Sequence, residues 1–178
     1  MGRDKALLVH DGIRMIDRVH ARLSQVADPV LFAPGEIGRL GPLPGPEVAD
    51  AVPGAGPLGA IAAGLAASPH ELIAVAAVDM PWASGAVFGL LAELWSGEEA
   101  VVPVDVDGPQ VLHALYARRS LAAFTEALDR SARGLRALLD DLDVRYVTPE
   151  RWAAADPSGR FAANINRPED LALLAEPG

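Results

Sequence analysis

The chain of 178 residues has no cysteine, and only one lysine, Lys5, against fourteen arginines. The absence of cysteine removes disulfides, thiolate nucleophiles and cysteine metal ligands, and it suits a reducing compartment. Aromatic residues make up only 5% of the chain, so Ala, Leu and Val have to build the core. The apolar stretches are too short, or too broken by Pro and Gly, to span a bilayer, and no secretory leader is legible. The expectation is therefore a soluble, cytoplasmic protein with no membrane partner. No pair among His10, His20, His70 and His113 has helical metal spacing, and no serine stands in a nucleophile elbow. Hydrolase and histidine–metal chemistry find no support. A net charge of −9 argues against a nucleic-acid partner. It leaves room for small anions, which local amides, a lysine or a metal can hold inside an acidic protein.

The length suits a single domain, residues 1–178, with enough chain for a sizeable core. The solitary lysine sits in Met1-Gly2-Arg3-Asp4-Lys5. An ammonium is a compact point charge suited to one phosphate oxygen, whereas guanidinium is a planar fork suited to bidentate pairs. Lys5 thus reads either as a phosphate contact or as a lysine kept by chance.

Ala6-Leu7-Leu8-Val9, ending at the turn pair Asp11-Gly12, reads as a strand. Ile16, Val19, Leu23 and Val26 recur at helical spacing and predict a helix over 13–27. Pro29 to Ala33 reads as the next strand, and the Gly- and Pro-rich stretch from Pro34 to Pro57 as a long binding loop. Pro57 opens a helix carrying Leu58, Ile61, Ala62 and Leu65 on one face. Leu72 to Val78 is continuously apolar, as in a parallel-sheet strand buried on both faces. A helix over 84–95 follows, then strands over 100–104 and 111–117, with Asp107-Gly108 as the turn between them. Helices near 120–130 and 133–142, a strand over 144–147, a short helix opened by Thr148-Pro149, a segment over 161–166 and a helix opened by Pro168 complete the chain. Strands alternating with helices indicate an α/β layered sheet.

In open α/β sheets, ligands bind at the carboxyl ends of the strands. Asp79 stands there, after the most apolar run, where a carboxylate can hold a divalent cation that binds phosphates. An ordinary Asp-Pro helix-entry turn is the other reading. Gly54-Ala55-Gly56-Pro57-Leu58-Gly59 enters a helix, and its glycines allow close backbone approach to an anion. Asn164 and Asn166 lie two apart on an expected strand end, on one side, where their amides could ligate a metal or bind a base. Helix capping by Asn166 is the alternative.

The order of these pieces is more specific than any one of them. It runs Met-Gly-x-Asp-Lys5, Asp50 before Gly56-Pro57-Leu58-Gly59, Asp79-Met80-Pro81, the run from Gly108 to Tyr116, the run from Gly134 to Leu139, and Asn164-x-Asn166-x-Pro168-Glu169-Asp170-Leu171. The chain resembles the molybdenum cofactor guanylyltransferases over nearly its whole length. That resemblance implies a three-layer α/β/α, Rossmann-like nucleotidyltransferase fold with a mostly parallel central sheet. It also implies transfer of GMP from GTP to molybdopterin with release of pyrophosphate, Mg²⁺ as cofactor, and other cofactor-synthesis proteins as partners. Carried onto this sequence, it makes Lys5 and Asp79 catalytic and Gly2, Lys5, Asp50 and Asp79 nucleotide-binding, with Asp79 and Asn166 on the metal. The segment from Gln110 to Tyr116 is expected nearer the acceptor.

The family opens with a strand and the pattern Leu-x-Gly-Gly-x-Ser-x-Arg directly before Met-Gly-x-Asp-Lys, whereas this sequence starts at that methionine. The expectation is a chain shortened at its N-terminus relative to the family, with a longer natural form. Ala33-Pro34 stands where the family commonly has a nucleotide-binding asparagine. Two alternatives follow: a nucleotidyltransferase with another base or acceptor, such as cytidylyl transfer to molybdopterin, or a non-catalytic binding protein.

Overall fold

The computed structural model describes residues 4–50, 52–130, 134–166 and 168–175. Gly2, expected at the nucleotide, and Arg167 lie outside the described residues. A 3-10 turn, Lys5–Leu7, leads into β1 (Val9–His10) and β2 (Ile13–Arg14). The expected strand over Ala6–Val9 is therefore mostly a turn. The Asp4 carboxylate accepts the Ala6 N–H at 3.0 Å and starts that turn. The expected Asp11-Gly12 turn is present as a two-residue hairpin loop, with φ of 52° and 74°. Positive φ at both positions is what such hairpins require.

The chain continues through α1 (Met15–Leu23), β3 (Phe32–Gly35), β4 (Glu47–Ala49), α2 (Pro57–Ala67), β5 (Leu72–Ala76) and α3 (Gly85–Leu94). It then forms β6 (Ala100–Asp105), β7 (Gly108–Pro109), β8 (His113–Ala117), α4 (Leu121–Asp129), α5 (Leu135–Leu138), β9 (Val144–Val147) and α6 (Pro149–Trp152). A last 3-10 helix covers Pro168–Ala175. The stretch expected to be a long loop contains β4, which pairs in parallel with β3. Among the described residues, no helix is long and apolar enough to cross a membrane.

The main sheet has the order β5-β8-β6-β7, with β9 pairing in parallel to β6. Strand β8 is antiparallel to both β5 and β6, so β5, β6 and β9 share one direction and β8 runs against them. The sheet is mixed because a short hairpin excursion through β7 returns the chain beside β6 in the opposite sense. The α/β class is as expected.

The period of two along each strand sorts side chains into two faces. Ala100, Val102, Ala114 and Tyr116 pack with Leu58, Ile61 and Leu65 of α2 and Phe124 of α4. Val101, Leu115 and Val147 point the other way, onto Val87, Phe88 and Leu91 of α3 and onto Trp152 and Phe161. Helices thus cover both faces of the sheet in three layers. Large fully buried side chains contribute about 1.5–3 kcal/mol each.

Strand β5 departs from expectation. Its alternate residues reach both cores, but every residue is only half-buried. The exposure lies along its edge, because β8 is its only partner among the described residues. Across from that edge stands β3, which among the described residues pairs with β4 alone. A groove of about 830 Å³ runs between them, walled by Val30 to Pro34 on one side and Leu72 to Val78 on the other. An unpaired β edge exposes backbone N–H and C=O groups that can pair with a further strand.

Candidate functional site

Three residues far apart in sequence meet beyond the end of β5. The strand stops at Ala76, and a turn closed by the Met80 N–H on the Ala77 carbonyl (3.1 Å) presents Asp79. The Ile165 N–H donates to the Asp79 carbonyl at 2.8 Å and lays the 161–166 segment beside this turn. The 3-10 turn aims Lys5 into the same place. Its Nζ donates to Asp79 Oδ2 at 3.0 Å and to Asn166 Oδ1 at 2.8 Å. The Lys5 side chain is 41% exposed and that of Asp79 21%. Ion pairs this accessible add only about 0–1 kcal/mol to stability. Stability therefore gives little reason for the single lysine to stand here.

The 161–166 segment contains no strand, so the two asparagines do not share a strand face. Asn166 reaches Lys5, while Asn164 is exposed and takes no part in the contact. The Asn166 backbone N–H donates to Asp170 Oδ2 at 2.9 Å, which ties it to the opening of the last 3-10 helix. The segment is held by packing. Phe161 is fully buried, edge-on to His113 and to Trp152, and the Arg160 guanidinium lies 4.2 Å from the Trp82 ring centre.

Asp50 lies elsewhere, at the polar end of the groove. Its N–H donates to the Gly35 carbonyl at 3.2 Å, which joins it to the end of β3. Its carboxylate abuts the start of α2. A Cβ on Gly59 would stand 3.4 Å from Asp50 Oδ2 and 2.8 Å from the Ala55 Cβ, so glycine is required there. Gly56 caps α2 at φ 62° and ψ −145°, a conformation left almost entirely to glycine. Asp50 Oδ1 is buried without a hydrogen-bond donor among the described residues, and burial raises its pKa above the usual carboxylate value.

Sequence reasoning passed over Asp4 and Arg39. Asp4 caps the Lys5 turn with one oxygen and takes the Arg39 Nη1 on the other. Arg39 Nε also donates to the Pro34 carbonyl at 2.8 Å. The Asp4 signal was available as part of the Gly-x-Asp-Lys run, whereas nothing in the sequence marks Arg39 among fourteen arginines. The run from Gln110 to Tyr116 is turned into the core. His113 and Tyr116 have no exposed surface, and the Tyr116 hydroxyl donates to the Val111 carbonyl at 2.8 Å. Burial holds the His113 pKa down at about 4, so the ring is neutral near pH 7. Its Nε2 accepts the Ser84 N–H at 3.0 Å. It fastens β8 to the start of α3.

Among the described residues, no three His, Cys, Asp or Glu side chains gather as a metal-binding group. The oxygen donors at Lys5 are one carboxylate and one amide. That set fits Mg²⁺, which commonly takes one or two protein carboxylates and draws its remaining ligands from water and substrate phosphates.

A family model described as "MobA-like NTP transferase domain" matches residues 1–147. The molybdenum cofactor guanylyltransferase of Desulfosudis oleivorans is 32% identical over 172 residues, covering 96% of this chain and 85% of that protein. Molybdopterin-guanine dinucleotide biosynthesis protein A from Archaeoglobus fulgidus superposes with a TM-score of 0.82 at 25% identity, covering 95% of this chain and 87% of that one. The 2-C-methyl-D-erythritol 4-phosphate cytidylyltransferase of Thermus thermophilus shares the fold, with a TM-score of 0.70 at 19% identity over 95% of this chain and 91% of that one.

Proposed function

The chain belongs to the MobA-like NTP transferase family, a family of nucleotidyltransferase enzymes, and from that premise we propose that it transfers GMP from GTP to molybdopterin, with residues 1–178 acting as one domain. The observation that supports this reading best is the convergence of Lys5, Asp79 and Asn166 at the end of β5. In the reaction, an oxygen of the acceptor's terminal phosphate forms a bond to the α-phosphorus of GTP. The bond from that phosphorus to the β-phosphate bridging oxygen breaks, and pyrophosphate leaves with the electron pair. Such transfer depends on positioning and charge neutralisation. Lys5 supplies a point charge for a phosphate oxygen. Asp79 and Asn166 are the groups that would hold Mg²⁺, which when bound supplies neutralisation of the phosphate charge. Asp50 and the glycines at the start of α2 lie on the nucleotide side.

The test is nucleotide profiling with α-labelled GTP, CTP, ATP and UTP, molybdopterin and Mg²⁺, following labelled dinucleotide and pyrophosphate. Product from GTP is expected. Product from CTP alone would make the chain a cytidylyltransferase, and nucleotide binding without product would favour the non-catalytic alternative. Lys5→Arg is expected to lose most of the activity although charge is kept, because a planar fork cannot replace a point charge held between two oxygens. A rate within about twofold of the parent, or ~0.4 kcal/mol on the barrier, would return Lys5 to the chance reading.

A further inference from the structure

Residues 112 and 113, at the entry to β8, bracket the loop that presents Asp79. The Ala77 N–H donates to the Leu112 carbonyl at 3.1 Å at one end, and the Ser84 N–H to His113 Nε2 at 3.0 Å at the other. Ser84 caps α3 by accepting the Val87 N–H on its side chain. In a capping box, a Glu or Gln at position 87 would reach back to the Ser84 N–H. Valine cannot, and the imidazole supplies the acceptor instead. The ring stacks on Phe88 at 3.9 Å between centres, and Phe161 meets it at 4.8 Å and 64°. Phe161 begins the segment that ends at Asn166, and the Ile165 N–H on the Asp79 carbonyl ties that segment to the loop. His113 therefore touches both pieces of chain that carry the metal-side groups. Holding Nε2 as an acceptor has a cost. The neutral ring's proton then sits on Nδ1, which is buried with no acceptor among the described residues.

We propose, on the reading above that Asp79 and Asn166 hold Mg²⁺, that His113 is the positioning residue that sets their spacing. Its Nε2 fixes the end of the Asp79 loop, and its ring seats Phe161 at the start of the Asn166 segment. The residue has no exposed surface and does not reach the substrate. It acts through the two segments. Lys5 Nζ spans Asp79 and Asn166 at 3.0 and 2.8 Å, so a shift of either segment separates all three groups. Mg²⁺ demands near-ideal octahedral geometry, which makes such a shift costly to metal binding.

Mn²⁺ serves as the probe, followed by electron paramagnetic resonance with millimolar GTP, on the parent, His113→Leu, His113→Gln and His113→Asn. Turnover at increasing Mg²⁺, metal-free GTP titration and melting curves are measured beside it. Leucine removes the acceptor and is expected to weaken Mn²⁺ binding by about tenfold or more, and to raise the Mg²⁺ needed for half-maximal turnover likewise. Its melting temperature should stay within about 4 °C of the parent, because the lost bond is offset by removal of the unpaired Nδ1–H. Metal-free GTP binding should not change. Glutamine carries its oxygen as many bonds from Cα as Nε2 and should hold Mn²⁺ within about threefold of the parent. Asparagine has the same amide on a shorter arm and should behave as leucine does, so the amide pair decides the matter if the leucine variant does not fold. Parent-like Mn²⁺ binding in the leucine or asparagine variant would overturn the proposal. So would a loss of fold in all three, or an equal loss of Mn²⁺ and metal-free GTP binding that glutamine does not rescue, since either makes the ring merely structural. A parent that binds no Mn²⁺ beyond what GTP alone holds would defeat the functional reading itself, before any variant is measured.

Discussion

Adding a strand followed by the pattern Leu-x-Gly-Gly-x-Ser-x-Arg ahead of Met1 is expected to raise the melting temperature by roughly 5–15 °C and GTP affinity by about tenfold or more. The reason is the groove between β3 and β5, which both strands face with edges that pair with no strand among the described residues. Five apolar residues laid there would contribute about 7–15 kcal/mol by burial. Ordering them costs about 1–2 kcal/mol per residue, which leaves a few kcal/mol net. For a domain of this size, one kcal/mol moves the melting temperature by about 2–4 °C. The affinity gain has a separate cause: amides of a glycine loop next to the Lys5 turn would donate charge-assisted hydrogen bonds to the phosphates. Thermal melting and GTP titration of both forms, side by side, measure the two effects. Equal melting temperature and equal affinity would show that the groove takes no strand, and that Met1 does not align with the end of the glycine loop.

In the form carrying that strand and loop, Asp79→Asn is expected to cut Mg²⁺-dependent turnover on the order of 10³-fold or more, ~4 kcal/mol on the barrier. The amide keeps the size of the carboxylate but removes the negative charge that a hard divalent cation needs. Folding should be spared. The Asp79 contact to the 161–166 segment is made by its backbone carbonyl, which the substitution leaves in place. Its side chain pairs with Lys5, through an accessible ion pair of small energetic weight. Turnover at increasing Mg²⁺, with a melting curve as control, decides the matter. Unchanged turnover at saturating Mg²⁺ would remove Asp79 from the site.

Much of the fold was open to sequence reasoning where local chemistry dominates. The Asp11-Gly12 turn, the start of α2 at Pro57 and β9 over 144–147 all appear where side-chain type and period place them. The α/β alternation is in the same class, because each amphipathic face declares its own period. The misreadings share one cause. Ala6–Val9 has strand composition, but the Asp4 cap and the hairpin loop take its backbone. Leu72 to Val78 has the composition of a strand buried on both faces, yet pairing partners decide whether its edge is covered. Hydrogen-bond partners from elsewhere in the chain are not written in a local pattern.

The site divides along the same line. Sequence by itself singled out Lys5, Asp79 and Asn166, through a rare residue type and an ordered set of motifs. The absence of cysteine also leaves no thiol chemistry to compete with them. Only the tertiary structure brought Lys5 to Asn166, 161 positions away, because the Asn166 segment has no secondary structure and is set by the packing of Phe161 and a bond to the Asp79 carbonyl. Only the tertiary structure distinguished Arg39 from thirteen other arginines, since its meaning lies in Asp4 and Pro34, which reach it through the fold. Composition and period are properties of a segment, and they determine which elements form. A site is a set of distances between segments, and those follow from how the buried faces pack.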